Sequence, residues 1–351
     1  SVRPIVVGNV FLRLIGSLAL HHNREACEDY FTGPQAKGKQ FGVGTRDGCS
    51  LMAACIEAHL EANPGHIDIS CDLSNAFNSF DRSALWPTLQ AKFPNMVRYI
   101  VMTYGEAAPV FFREGGVLTT ILNSVGSRQG CSLGSFLMAV ALQPILQQLA
   151  DEFDDVLVTA YCDDVHFTGA PARVVAAYAR YSALTSSLLQ NKLRPDKSEV
   201  YAPQVSEEAL RAVGLPDEFV SEKIHSDGLR VLGVPVGHMA YKAGFCKTKV
   251  EELVQDLAVL GRVESLQVQH VILTKSLMHR MTNILRAVPG NEPELLDAGE
   301  LYDTELTKFA QRFVPWAPLA EHSRKLAFLS LAHGGLGLRS WRDHADAAYV
   351  A

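Results

Sequence analysis

The chain has 351 residues, 48% hydrophobic and 20% charged, with net charge −6 and pI near 6.1. This is the composition of a globular protein with a substantial core, and length alone suggests about two domains. No apolar run approaches the roughly 20 residues that span a bilayer, and a net negative charge argues, taken alone, against nucleic-acid binding, whose usual footprint is basic.

The N-terminal SVRPIVVGNV has no basic segment leading into a long apolar one. A secretory signal is therefore not expected, and the chain reads as intracellular, with nucleus or cytoplasm left open. It lacks an initiator Met and reads as an excised fragment. LMAACIEAHLE (51–61) has helical periodicity. GHIDISCDL (65–73) alternates, with Ile67, Ile69 and Cys71 on one face and Asp68, Ser70 and Asp72 on the other, as in a half-buried strand. RSALWPTLQAKF is helical, and APVFFREGGVLTTILNSVG is a hairpin turned at Gly115-Gly116. LGSFLMAVALQPILQQLADEF is a long apolar helix. DVLVTAYCDDVHFTG is strand, acidic turn, strand; 172–191 is helical; LRVLGVPVG (229–237) is a short strand pair. Beyond residue 240 helical patterns dominate, so a sheet-based core and a helical lobe are expected to join near 238–245. The seven cysteines are odd in number and form no CxxC pair, which argues against zinc or a disulfide framework and for a reducing compartment.

Two acidic points stand out. Asp72 ends a strand, and Asp163 and Asp164 occupy a strand-to-strand turn 91 residues after it (163 − 72). An Asp-Asp pair is an ordinary solvated turn unless its repulsion is answered. If the strands are neighbours, three carboxylates meet at one sheet edge and need a cation. Magnesium suits them, being hard and oxygen-seeking, and two such ions roughly 3.5–4 Å apart serve phosphoryl transfer.

YCDD between strands, DLSNAF after a strand and SRQGCSLGSF before a long helix, in that order, resemble the reverse transcriptases. Enzymes of non-LTR retrotransposons are the nearest likeness. RPIVVGNVFLRLIGSLAL, QFGVGTRDGC, RPDKSEV, LRVLGVPVG and GGLGLRS resemble further segments of that family, over nearly the whole chain. The resemblance implies an α+β right-hand polymerase fold: fingers, an antiparallel palm sheet backed by helices, and a helical thumb. It implies partial fingers at 1–65, palm at 66–82, a fingers/palm insertion at 83–125, palm again at 126–240 and thumb at 241–351. Implied metal ligands are Asp72 and Asp163, supported by Asp164, holding two Mg2+ ions (Mn2+ as substitute). Implied nucleotide-binding residues are Arg3 at the triphosphate, Phe77 against the ribose 2′-OH, Gln129 and Gly130 over the incoming nucleotide, and Lys197 near the leaving pyrophosphate. Implied partners are an RNA template, a DNA or RNA primer and dNTPs, with no membrane.

The sequence departs from the family in carrying Ser132 and Ser135 where prolines are common, so a less rigid loop is expected. Cys162 stands where Ala, Met, Val or Leu is commoner. The family's upstream fingers strand with a triphosphate-binding lysine, its endonuclease and its Cys/His knuckle are not seen in these residues, so a fragment that folds yet polymerises poorly is expected. Residues 265–286 contain no acid and carry Lys275, His279, Arg280 and Arg286 opposite Leu273, Leu277, Met281 and Ile284. This reads either as a core helix with a solvated basic face or as a thumb helix following the primer–template backbone. Other readings are a non-catalytic scaffold of the same fold, a fragment inactive for lack of the upstream fingers strand, and a serine hydrolase. The hydrolase reading rests on GCSLG (130–134), with Ser132, Asp163 and His225 in triad order.

Overall fold

The computed structural model describes residue 6, residues 8–313 and residues 325–350, and it divides into two compact units, 1–226 and 227–351. In the first unit, α1 (Val10–His22) and α2 (Arg24–Phe31) precede the two-residue β1 (Lys39–Gln40), and α3 (Gly48–Ala62) leads into β2 (Ile67–Cys71). The short α4 (Ala76–Ser79), α5 (Leu85–Lys92) and α6 (Pro94–Tyr104) follow, then the hairpin β3 (Ala108–Glu114) and β4 (Val117–Asn123). Next come α7 (Gly134–Glu152), β5 (Leu157–Tyr161), β6 (Asp164–Gly169), α8 (Pro171–Leu188), β7 (Glu199–Tyr201), α9 (Glu207–Ala212) and β8 (Ile224–His225).

Six strands form one sheet in the order β1-β5-β6-β2-β7-β8. The central four are antiparallel, as expected, but β1 pairs with β5 and β7 with β8 in parallel. Strands of two or three residues leave no alternation to read, so the sequence carries no sign of these outer pairs. One face carries Ile67, Ile69, Cys71, Val158, Ala160, Val165 and Phe167 into a core shared with α7 and α8. α7 is buried almost all round, which explains why its sequence is apolar without a polar stripe.

The opposite face differs from the half-buried reading. Asp68 is 0% exposed. Its carboxylate lies 2.7 Å from His166 Nδ1 and accepts a 2.8 Å bond from Thr168 Oγ1, both on β6. A buried carboxylate is tolerated only when partnered in this way, and the pair ties β2 to β6.

In the second unit β9 (Gly228–Val231) and β10 (Val234–Gly237) pair only with each other. They are followed by α10 (Met239–Leu260), α11 (Leu266–Ile272), α12 (Met278–Leu285), α13 (Leu296–Ala310) and α14 (Trp341–Val350). The division thus falls ahead of the expected 238–245 joint. The hairpin's strand composition had suggested the sheet, yet Gly228 packs against the Tyr241 ring of α10. Between α11 and α12 the chain makes a π turn, Leu273–Leu277, so the expected single helix is interrupted and its register slips by one residue. Leu273, Leu277, Met281 and Ile284 are nonetheless buried, around a core with Trp341, Tyr302 and Leu306. The buried Asp303 carboxylate accepts from Ser340 Oγ and Trp341 N–H, both at 2.7 Å, capping α14. Among the described residues no helix is long and apolar enough to cross a membrane.

All seven cysteines are free thiols. Burial pushes Cys27, Cys162 and Cys246 up to about 12, and Cys71 well above its ordinary value. A raised thiol stays protonated until the pH approaches that value, so at pH 8 about one molecule in ten thousand carries a thiolate there. Iodoacetamide at pH 8 is therefore expected to leave these four unmodified in the folded chain and to label exposed Cys55 before them, read by peptide mass spectrometry.

Candidate active site

The register of the sheet brings the acids together. Cys71 lies opposite Val165, so the same register carried one residue further sets Asp72 opposite Asp164. Tyr161 pairs with Asp164 across a two-residue turn made by Cys162 and Asp163. Asp72, Asp163 and Asp164 therefore lie at the same end of adjacent strands. Asp72 is pinned through its backbone: its N–H donates to Ser198 Oγ at 3.2 Å, and its C=O accepts from Arg194 N–H at 2.8 Å. The Arg194 guanidinium is itself paired with Asp196, and neither Arg194 nor Ser198 was singled out from the sequence. The signal for them, the RPDKSEV stretch, was read only for Lys197. That lysine is exposed in the same turn, its N–H bonded to Arg194 O at 2.9 Å.

The turn itself is strained. Cys162 has φ +57°, a region that costs a non-glycine residue about 1–3 kcal/mol and persists only where surroundings impose it. The thiol is buried against Gly42 O and hydrogen-bonds Ser135, one of the serines standing where proline is usual.

Phe77 and the segment leading into Gln129-Gly130 are also brought together. Ser127 N–H and Oγ both donate to Phe77 O, at 2.5 and 3.2 Å. Gly126 N–H donates to Phe80 O at 2.8 Å. A Cβ on Gly126 would lie 2.3 Å from the Asn78 carbonyl carbon, so only glycine allows this approach. Phe77 is half-buried, and Gly130, with φ +99°, is exposed. Arg82 binds the same segment from behind: its guanidinium donates to Gly126 O at 2.8 Å and also reaches Val125 O, Tyr104 O and Asn123 Oδ1. It stacks over Tyr104, as Arg128 does at 4.6 Å.

Residues 1–236 match the family described as reverse transcriptase (RNA-dependent DNA polymerase). The chain belongs to that family. It is 24% identical over 353 aligned residues to the retrotransposable element SLACS 132 kDa protein of Trypanosoma brucei gambiense. That alignment covers 99% of this chain and 28% of the relative, so the chain spans little more than a quarter of the protein it matches. Among solved structures it is similar to Candida albicans telomerase, determined with the TWJ fragment of telomeric RNA. The TM-score is 0.54 at 12% identity, over 97% of this chain and 52% of that one. Apo telomerase of Candida tropicalis gives a TM-score of 0.49 at 10% identity, over 98% and 54%. The fold is that of the reverse transcriptases, an α+β polymerase fold.

Reverse transcriptases generally use divalent metal ions. Among the described residues no three His, Cys, Asp or Glu side chains form a ready-made cage. The donor set of this chain still fits a hard cation. It offers carboxylate oxygens at an open sheet end, where Mg2+ is usually completed by water and substrate phosphates.

The remaining expectations divide. Arg3 lies outside the described residues. In the helical unit Lys275, His279, Arg280 and Arg286 are all exposed, opposite the buried stripe. His279 and Arg280, but not Lys275 or Arg286, line an open cleft of about 570 Å³ with Arg230, Lys249, Ser276 and Asn283. Arg230 and Lys249 were missed because they fall on other elements. Arg280 is paired with Asp256, and Lys249 with Glu252 at 2.7 Å.

The hydrolase constellation is not assembled. Ser132 Oγ donates to Arg13 O at 3.0 Å. His225 lies on β8, three strands from β6, a lateral separation of about 14 Å at normal strand spacing.

Proposed function

We propose that the chain is the polymerase core of a non-LTR-type reverse transcriptase, adding dNMP from dNTP to a primer 3′-OH on an RNA template. The observation that carries this is the β2–β6 register, which gathers Asp72, Asp163 and Asp164 at one sheet end. The family membership and the retrotransposon relative support it. Asp72 and Asp163, with Asp164 beside them, would hold two Mg2+ ions, with Mn2+ as substitute. Such ions supply a more acidic 3′-OH and neutralise charge on the phosphates. The chain's own contribution is positioning: a backbone-pinned Asp72, a turn held at Cys162, and a loop from Gly126 to Gly130 over Phe77. In this reading fingers cover 1–65, palm 66–82 and 126–240 around an insertion at 83–125, and thumb 241–351. The cleft with His279 and Arg280 would follow the nucleic-acid backbone. Arg230, Lys249, His279 and Arg280 would supply its positive charge, offset by Glu252 beside Lys249 and by Asp256 on Arg280, and binding depends on where charges sit.

The test is metal-dependent extension of a primed RNA template by the wild type and by Asp163→Asn. Equal activity in both would remove the assignment of the site, and inactivity of both would favour a non-catalytic scaffold. Phe77 gives a second expected outcome. A rigid ring beneath the sugar rejects one added oxygen by overlap, so Phe77→Val is expected to raise ribonucleotide incorporation relative to deoxynucleotide by about 10–100-fold. Single-nucleotide kcat/KM ratios measure this, and an unchanged ratio would leave Phe77 as a packing residue.

A further inference from the structure

The turn that carries Asp163 is closed by the Tyr161–Asp164 pair and is also held from outside its own hairpin. Its first central residue, Cys162, has positive φ and Asp163 does not, the sign pattern of a type II′ turn, whose first position glycine normally occupies. At a hairpin tip the peptide groups have no ladder partner. Here both backbone polar groups of Cys162 are met by one side chain from 122 residues away. Gln40 Oε1 accepts from Cys162 N–H at 2.7 Å, and Gln40 Nε2 donates to Cys162 O at 3.0 Å. The same Oε1 accepts from Gly42 N–H at 3.1 Å, which fixes the orientation of the amide. Gln40 is fully buried.

The surrounding backbone is shaped to this contact. Phe41 N–H donates to Ala160 O at 2.7 Å, extending the parallel β1–β5 pairing to the edge of the turn. A Cβ on Gly42 would lie 2.6 Å from Cys162 N and from its Sγ, so the strand can come this close only with glycine there.

We propose that Gln40 is a positioning residue for the catalytic turn, clamping the Cys162 peptide so that Asp163 is presented in one orientation. This rests on the reading of Asp163 as a metal ligand. The physical link is the planarity of the peptide. Cys162 C=O and Asp163 N–H lie in one plane, so holding the carbonyl oxygen fixes the plane from which the Asp163 side chain departs. A carboxamide has both the acceptor for the Cys162 N–H and the donor for its C=O at every pH. An ionised glutamate lacks the donor, and leucine lacks both. The clamp matters because a non-glycine residue at positive φ otherwise relaxes.

The test compares the 351-residue chain with Gln40→Leu, Gln40→Glu and the double variant Gln40→Leu/Cys162→Gly. Amide exchange followed by NMR is expected to be about tenfold or more faster at Cys162 in Gln40→Leu, with the β6 amide of Phe167 unchanged. In primer extension, Gln40→Leu should lower kcat by about tenfold and raise the half-saturating Mg2+ concentration severalfold, with KM for dNTP within about threefold of wild type. Gln40→Glu should resemble it at pH values where the new carboxyl is ionised and act as wild type where it keeps its proton. Adding Cys162→Gly should recover most of the rate, because glycine takes this φ without strain and no longer needs the clamp. Unchanged exchange at Cys162 would overturn the proposal. So would equal acceleration at Cys162 and Phe167, which would make Gln40 a residue of the fold at large, or a rate loss that Cys162→Gly does not recover. The exchange arm reports even in a chain that extends no primer, so failure of the polymerase reading and failure of the clamp are distinguishable.

Discussion

Asp163→Asn is expected to lower metal-dependent extension of a primed RNA template by about a thousandfold or more, with little change in thermal stability. Asn is isosteric, and the Cys162 backbone contacts that hold the turn are untouched by the substitution. The substitution removes one negative charge and one hard oxygen donor where cations and a triphosphate must be balanced. A thousandfold corresponds to about 4 kcal/mol of transition-state stabilisation, the scale of an electrostatic group acting at developing charge. Asp72→Asn should be comparable, since Asp72 is fixed from both sides by Ser198 and Arg194. Asp164→Asn should cost less, about 10–100-fold, because Asp164 is exposed and in the proposed reading supports the two metal-holding acids. Single-turnover extension across a Mg2+ series measures all three. Wild-type rates in Asp163→Asn would remove the two-metal reading.

Arg82→Met is expected to destabilise the first unit by about 3–4 kcal/mol, lowering its unfolding temperature by about 10 °C. Met retains most of the volume, so the loss is chiefly of hydrogen bonds. The carbonyls of Gly126, Val125 and Tyr104 and the Asn123 side chain would lose a buried, charged donor. Burial lowers the Arg82 pKa, yet an arginine at neutral pH stays protonated, so the fork donates throughout the working range. Arg82→Lys should recover little of this, because a point charge cannot reach several oxygens at once. A kinetic consequence is also expected. The segment Arg82 holds docks Gly126 and Ser127 on Phe77 and Phe80, so KM for dNTP should rise in Arg82→Met at temperatures where it remains folded. Thermal unfolding by circular dichroism and dNTP titration measure the two effects. An unfolding temperature within 2 °C of wild type would show that water replaces the guanidinium.

The sequence by itself determined the elements whose signal is local. The alternating residue types of 65–73, the Gly115-Gly116 turn and the apolar run of α7 are each legible because hydropathy order and turn residues are local properties of the chain. The acids stand out in the sequence because two carboxylates in a turn repel each other, and the order of motifs gives them a proposed role. What only the tertiary structure decided lies in contacts between distant segments. Asp68 reads as a solvent-face residue, yet it is buried because His166 and Thr168 lie beside it on another strand. Gln40 sits in a two-residue strand with no periodicity, and its partner is 122 residues away. Arg82 reads as an ordinary helix-start arginine, because the carbonyls it satisfies lie more than 20 residues downstream. Residue type and spacing state which groups a chain can bury or expose. Which group meets which is fixed by strand register and the close approach of backbones, and no local pattern encodes these.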